Sequence, residues 1–198
     1  MRTRHFLAMS ATALLLAGCA SSNTNHESAS PSEDLSMPDS DLIKNALSAA
    51  PADVAKYATV KTMDGRVLRK GSNGWVCLPD HAAEPGNSPR CLDPSYQGFI
   101  KAYMQKTEPH TDRVGFGYML QGGKPGSDTN PLAQGPKDKG VWQSDPRPPH
   151  IMVVVPDSKD LKGLPTDSGG AGPWVMWSGT PYAHIMIPLA GNGDLSKI

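Results

Sequence analysis

Several shortages in this sequence each remove a class of function. Its 19 Lys and Arg are matched by 19 Asp and Glu, so it lacks the basic surface that nucleic-acid binding needs. The uncharged run 6–17 falls short of the roughly 20 apolar residues that cross a bilayer as a helix. Three cysteines are too few for a Cys-only zinc site, and none stands in a Cys-x-x-Cys pair. The usual catalytic signatures are missing too. No Gly-x-Ser-x-Gly elbow occurs, since Gly71-Ser72-Asn73-Gly74 reads as a turn, and there is no His-Glu-x-x-His helix. Gly169-Gly170-Ala171-Gly172 lacks the Lys-Ser/Thr of a phosphate loop and follows no clear strand. No residue is assigned a catalytic role on these grounds.

What the chain has in plenty is turn formers: 20 Gly and 19 Pro in 198 residues, together with nine Met and four Trp. This composition predicts many turns and long loops around a modest core. The N-terminus has a distinct pattern. Arg2 and Arg4 precede the apolar run, which closes on Leu16-Ala17-Gly18-Cys19. A basic start, a short apolar stretch and small residues before a cleavage point describe a secretory signal peptide. The four closing residues resemble the lipobox of bacterial lipoprotein precursors. The resemblance implies that residues 1–18 are removed and that Cys19 becomes an acylated first residue, the membrane being reached through its lipid. Ala20 rather than Asp follows, which by the same analogy favours the outer membrane. The leader takes two of the 19 bases and no acid, so the mature chain is slightly acidic. Several acyl chains on one residue give durable attachment. Residues 19–39 are Ser-rich and polar and read as a flexible tether. Residues 40–198 form the globular domain. That domain resembles an uncharacterised exported bacterial family and carries no residue roles to transfer.

Along the domain, Ser40 is expected to cap a short helix with Leu42, Ile43, Ala46 and Leu47 on one face. Two strand-like runs flank Asp64-Gly65, and Asn73-Gly74 leads into a third, so 58–78 reads as a three-stranded meander. With Cys19 acylated, Cys77 and Cys91 remain. In an exported protein this pair is expected as a disulfide, closing a Pro/Gly/Asn loop and contributing about 3 kcal/mol in the chain-entropy model. Asp93-Pro94 opens the clearest helix, 94–106, with Tyr96, Phe99, Ile100, Tyr103 and Met104 on its packed face. In 113–121 the glycines Gly115 and Gly117 share a face, which predicts close approach by another backbone, such as a packed helix, or by a ligand. Residues 122–149 read as a long Gly/Pro/Asp loop.

The most informative feature of the domain is an internal echo. His150-Ile151-Met152 and His184-Ile185-Met186 each open a β-branched, Pro-bounded strand, with Trp174-Val175-Met176-Trp177 before the second as the first arm of a hairpin. Alternation puts His150 with Met152 on one face and His184 with Met186 on one face. If the strands are neighbours, two imidazoles and two thioethers meet, a donor set that suits copper(I). The other sharp reading is a hydrolase. There His150 or His184 serves as general base at a rim of Asp167, Trp177 and Tyr182, between the loops 122–149 and 163–173. The overall expectation is a single α+β domain: an antiparallel or mixed sheet of about six short strands, one main helix on a face, and a binding or structural role at the envelope.

Overall fold

The computed structural model describes residues 37–80, 86–170 and 172–189. The leader, the lipobox and nearly all of the tether lie outside the described residues. Helix α1 (Asp39–Leu47) begins one residue before the expected cap. Pro38 stands at the N-cap without a side-chain hydrogen bond, and Asp39 and Asp41 occupy the first turn, where the positive end of the helix favours acids. Ser40 is therefore inside the helix rather than its cap. A single-turn helix α2 (Ala52–Ala55) follows.

The fold is α+β, and the sheet is larger than expected. Eight strands form it: β1 (Thr59–Lys61), β2 (Val67–Arg69), β3 (Val76–Leu78), β4 (Arg90–Leu92), β5 (Gly115–Met119), β8 (His150–Val154), β9 (Trp174–Met176) and β10 (His184–Pro188). Strands β6 (Gly126–Ser127) and β7 (Trp142–Gln143) pair separately as a two-stranded ribbon. The expectation of about six strands missed β4, β6 and β7. Runs of two or three residues are too short to show the alternation from which a strand is read.

The sheet order is β2-β1-β3-β4-β5-β8-β10-β9. All pairings are antiparallel except β1 with β3. Residues 58–78 are thus not a meander. The hairpin β1–β2 forms around Asp64-Gly65, but the chain then crosses back and lays β3 on the far side of β1. Gly71 makes the crossing, packed so tightly against the backbone of Tyr57, Ala58 and Thr59 that no Cβ fits, and Ser72 N–H donates to the Tyr57 carbonyl at 2.8 Å.

Cys77 and Cys91 sit directly opposite each other on β3 and β4 and form the expected disulfide. Both are fully buried beneath α1, among Ala46, Ala49, Ala58 and Val60. Because side chains alternate, the residues flanking Cys91, Arg90 and Leu92, project from the opposite face of the sheet.

That opposite face carries helix α3 (Pro94–Gln105). Asp93 caps it as expected, its carboxylate accepting from Tyr96 N–H at 2.7 Å, and Lys106 closes it in a left-handed conformation. The glycine face of β5 permits the contact: a Cβ on Gly115 would lie 2.6 Å from Ser95 Cβ and 2.8 Å from Tyr96 N. Tyr96 and Phe99 are buried with Leu92, Met152, Val154, Trp174, Met176 and Met186 in the main core.

Candidate functional site

The two His-Ile-Met strands are neighbours. β10 pairs antiparallel with β8, Met186 opposite Met152 and Pro188 opposite His150. All four singled-out side chains, His150, Met152, His184 and Met186, therefore share the α3 face of the sheet. The antiparallel register staggers the two histidines by four residues, about 13 Å between their backbone positions along the strand direction, with the Met152–Met186 pair at the level between them. The same register extends the two rows sideways. Arg90 on β4 falls opposite Met119 on β5, which pairs with His150. His184 pairs with Met176 on β9.

Above this floor lies a cavity of about 560 Å³. Its floor includes Arg90, Met119, His150, Met152, Met176, His184 and Met186, and α3 supplies one wall through Tyr96, Phe99 and Tyr103. The roof is the segment 123–147. The sequence read 122–149 as a loop, but the β6–β7 ribbon and a bridge between Gly123 and Arg147 give it order. Asp128 fastens it. This buried carboxylate accepts from Gln143 Nε2 at 2.8 Å and from Ser168 Oγ at 2.7 Å. Arg147 Nη1 stands 2.7 Å from its other oxygen.

Trp177, one of the three rim candidates, also lines the cavity. It is held at φ 56°, uncommon for a bulky residue. Its backbone N–H donates to the Asp128 carbonyl and its indole N–H to the Ser127 carbonyl, both at 2.8 Å. Its ring stacks on Tyr103 at 5.2 Å, and the Tyr103 hydroxyl donates to the Pro131 carbonyl at 2.7 Å. The other two rim candidates lie elsewhere. Tyr182 is buried against Phe99 and Tyr103 behind the wall, and Asp167 is an exposed loop residue accepting from Gly169 N–H.

The polar groups of the cavity are few and unusual. Arg90 Nε is buried without a hydrogen-bond partner, and among the described residues no ion pair holds its guanidinium. Burial lowers its pKa, opposed by Tyr96, Asp80 and Tyr103. Burial likewise pushes the Tyr96 hydroxyl far above its ordinary range. His150 Nδ1 lies 2.7 Å from the Pro148 carbonyl and His184 Nδ1 lies 2.9 Å from the Tyr182 carbonyl. Facing a carbonyl, each Nδ1 must carry the proton, which leaves each Nε2 as an acceptor. Neither Nε2 has a hydrogen-bond partner among the described residues. Burial lowers both imidazoles, His184 to about 4, so both are neutral at pH 7. Rings of Tyr96, Phe99 and Trp177 surround His184, the nearest centroid at 5.0 Å.

Arg90, Met119 and the Asp128–Arg147 pair were not singled out in the sequence, and Tyr96 and Met176 were read there only as helix-face and strand residues. Arg90 had a usable signal: once Cys91 is paired with Cys77, alternation alone sends its neighbours to the other face. No three His, Cys, Asp or Glu residues gather as a metal-binding group among the described residues, and among them no helix is long and apolar enough to cross a membrane. No family model, curated protein or solved structure matches the chain.

Proposed function

We propose that this chain is a lipid-anchored protein of the bacterial envelope whose domain binds a small organic ligand between sheet, α3 and ribbon. The leader and Leu16-Ala17-Gly18-Cys19 support the anchor. The binding role is carried by one observation: a ring- and thioether-lined cavity of about 560 Å³ in which a few polar groups converge without protein partners. Small-molecule sites commonly have this form, mostly apolar with a few orienting polar atoms. The hydrolase alternative gains no support. Each imidazole is oriented by a backbone carbonyl, and neither has a hydroxyl or carboxylate hydrogen-bonded to it among the described residues. A general base here would lack both nucleophile and orienting acid.

The cavity is tested with the neutral fluorophore N-phenyl-1-naphthylamine. Saturable fluorescence enhancement is expected in the purified chain and its loss in Gly123→Leu, because a side chain at Gly123 would point toward His150 Cε1 and Met119 Cε, 3.3 and 3.5 Å from the new Cβ. Equal enhancement in both proteins would place the probe elsewhere and end the reading. The anchor is tested by labelled palmitate, which the chain should incorporate and Cys19→Ala should not.

Copper(I) is the second reading. Two neutral imidazoles with Nδ1–H fixed on carbonyls, beside Met119, Met152, Met176 and Met186, form a soft donor set of the kind copper(I) prefers. Against it, Arg90 adds a positive charge without an ion-pair partner among the described residues to the same wall, and the register staggers the two histidines by four residues along the strands. Titration of copper(I) against a chromophoric chelator, in the purified chain and in His150→Ala/His184→Ala, decides it. Tight binding that the double variant loses would support copper, and the same affinity in both would exclude these ligands.

A further inference from the structure

The charges around the cavity define its ligand more narrowly. This deepening rests on the cavity being a small-molecule site. Arg147 is neutralised by Asp128 at 2.7 Å, and Lys124 is engaged by Asp80 at 3.4 Å. Both imidazoles are neutral at pH 7. On the wall, the guanidinium of Arg90 is held by no ion pair among the described residues, and the one carboxylate that acts on it, Asp80, is shared with Lys124 and accepts from Ser88 Oγ. A buried cation without a counter-charge is costly, and a planar fork of donors is suited to a carboxylate. A doubly charged phosphate ester would bring a second negative charge with no free cation to meet it. A metal cation would add charge of the wrong sign, and an uncharged ligand would leave Arg90 unrelieved.

The rest of the lining sets the body of the ligand. Trp177 and Tyr103 present stacked rings 12° from parallel, and Met119, Met152, Met176 and Met186 present polarisable thioethers that pack well against ring edges. We infer that the cavity takes a monocarboxylate with an apolar, ring-containing body, its carboxylate on Arg90 and its body against the methionines, Tyr103 and Trp177. Met119 stands between Arg90 and His150 in the same cross-strand row, so the His150 imidazole is available as an acceptor for a hydroxyl or amine on the ligand body.

The test compares 1-naphthoate with 1-naphthalenemethanol, which share the ring system and differ in charge, by calorimetric titration of the purified chain and two variants. The expected result is naphthoate bound at least tenfold more tightly than the alcohol. Arg90→Met should remove that preference, naphthoate then binding no more tightly than the alcohol, and Arg90→Lys, which keeps the charge without the fork, should retain part of it. Folding of each variant is checked by its near-ultraviolet circular dichroism. If both probes bind the parent protein equally, the assignment of the anion to Arg90 is overturned while the cavity stands. If naphthoate is preferred but Arg90→Met and Arg90→Lys both preserve the preference, the anion lies elsewhere. If neither probe binds, the small-molecule reading itself falls.

Discussion

At the scale of the residue, His184 has the clearest consequence for stability. Its imidazole is 2% exposed, ringed by Tyr96, Phe99 and Trp177, and its folded pKa is about 4 against an ordinary 6.5. Above pH 6.5 the ring is neutral in both folded and unfolded chains and contributes no pH dependence. Between 6.5 and about 4 the unfolded chain takes up a proton that the folded chain refuses, so stability falls as pH falls through this window. Below it both states are protonated and the loss stops growing. A shift of this size corresponds to about 3 kcal/mol, and His150, shifted in the same direction by burial, adds to it. His184→Gln removes the titration while keeping an amide that can reach the Tyr182 carbonyl. Urea midpoints measured at pH 7 and pH 4.5 should therefore drop less in the variant than in the parent. Equal drops would mean that the imidazole is not held neutral.

At the scale of the element, the contact between β5 and α3 sets the height of the cavity wall, and two glycines allow it. The Cβ of alanine at Gly115 would meet Ser95 Cβ, Tyr96 N and Val154 Cγ2 within 3 Å, mostly atoms that cannot move without shifting the helix. At Gly117 the nearest atom is Met152 Cε at 2.9 Å, the free end of a flexible side chain. Gly115→Ala should cost about 1–3 kcal/mol of overpacking and Gly117→Ala clearly less, read as thermal midpoints of the two variants. Reversal of that order would mean that the helix, not the methionine, yields.

These elements also show where sequence reading works. Helix α3 was legible from an N-cap, a proline and an i, i+3, i+4 stripe, all local signals. The strands β8 and β10 were legible from β-branched runs ending in proline, and the disulfide followed from the lipobox and the two cysteines left over. The parallel pairing of β1 with β3 was not legible. It joins segments separated by a hairpin, and the returning chain is held against β1 by contacts remote in sequence, among them the close packing of Gly71 and the Ser72–Tyr57 hydrogen bond. The ribbon was illegible for a different reason, since its strands are two residues long and exist because Asp128 and Trp177 hold the backbone around them. Of the cavity, the His and Met residues were visible as a repeat. Arg90 was hidden by its place beside a cysteine that drew the reading to the other face.

At the scale of the whole molecule, the roof and the sheet are separate layers joined through a small number of polar contacts. Asp128 is central to that joint: 2% exposed, it meets Arg147, Gln143 and Ser168 through its side chain, while its backbone carbonyl accepts from Trp177 N–H and its N–H donates to the Val141 carbonyl. Deleting one partner of a buried ion pair leaves the other charge uncompensated, a loss of about 3–5 kcal/mol. That loss can be relieved locally if the ribbon lifts and Arg147 reaches water, because the sheet beneath keeps its own backbone ladder and its own core. Asp128→Ala should therefore speed hydrogen exchange at the amides of Asp128, Asn130 and Trp177, leave β5, β8 and β10 protected, and weaken binding of the neutral naphthyl probe. Adding Arg147→Met removes the stranded charge, so the double variant should recover much of the stability lost by Asp128→Ala while the ribbon amides still exchange quickly. If Asp128→Ala instead unprotects the whole sheet at once, roof and floor form one cooperative unit, and ligand entry would have to proceed without the ribbon opening.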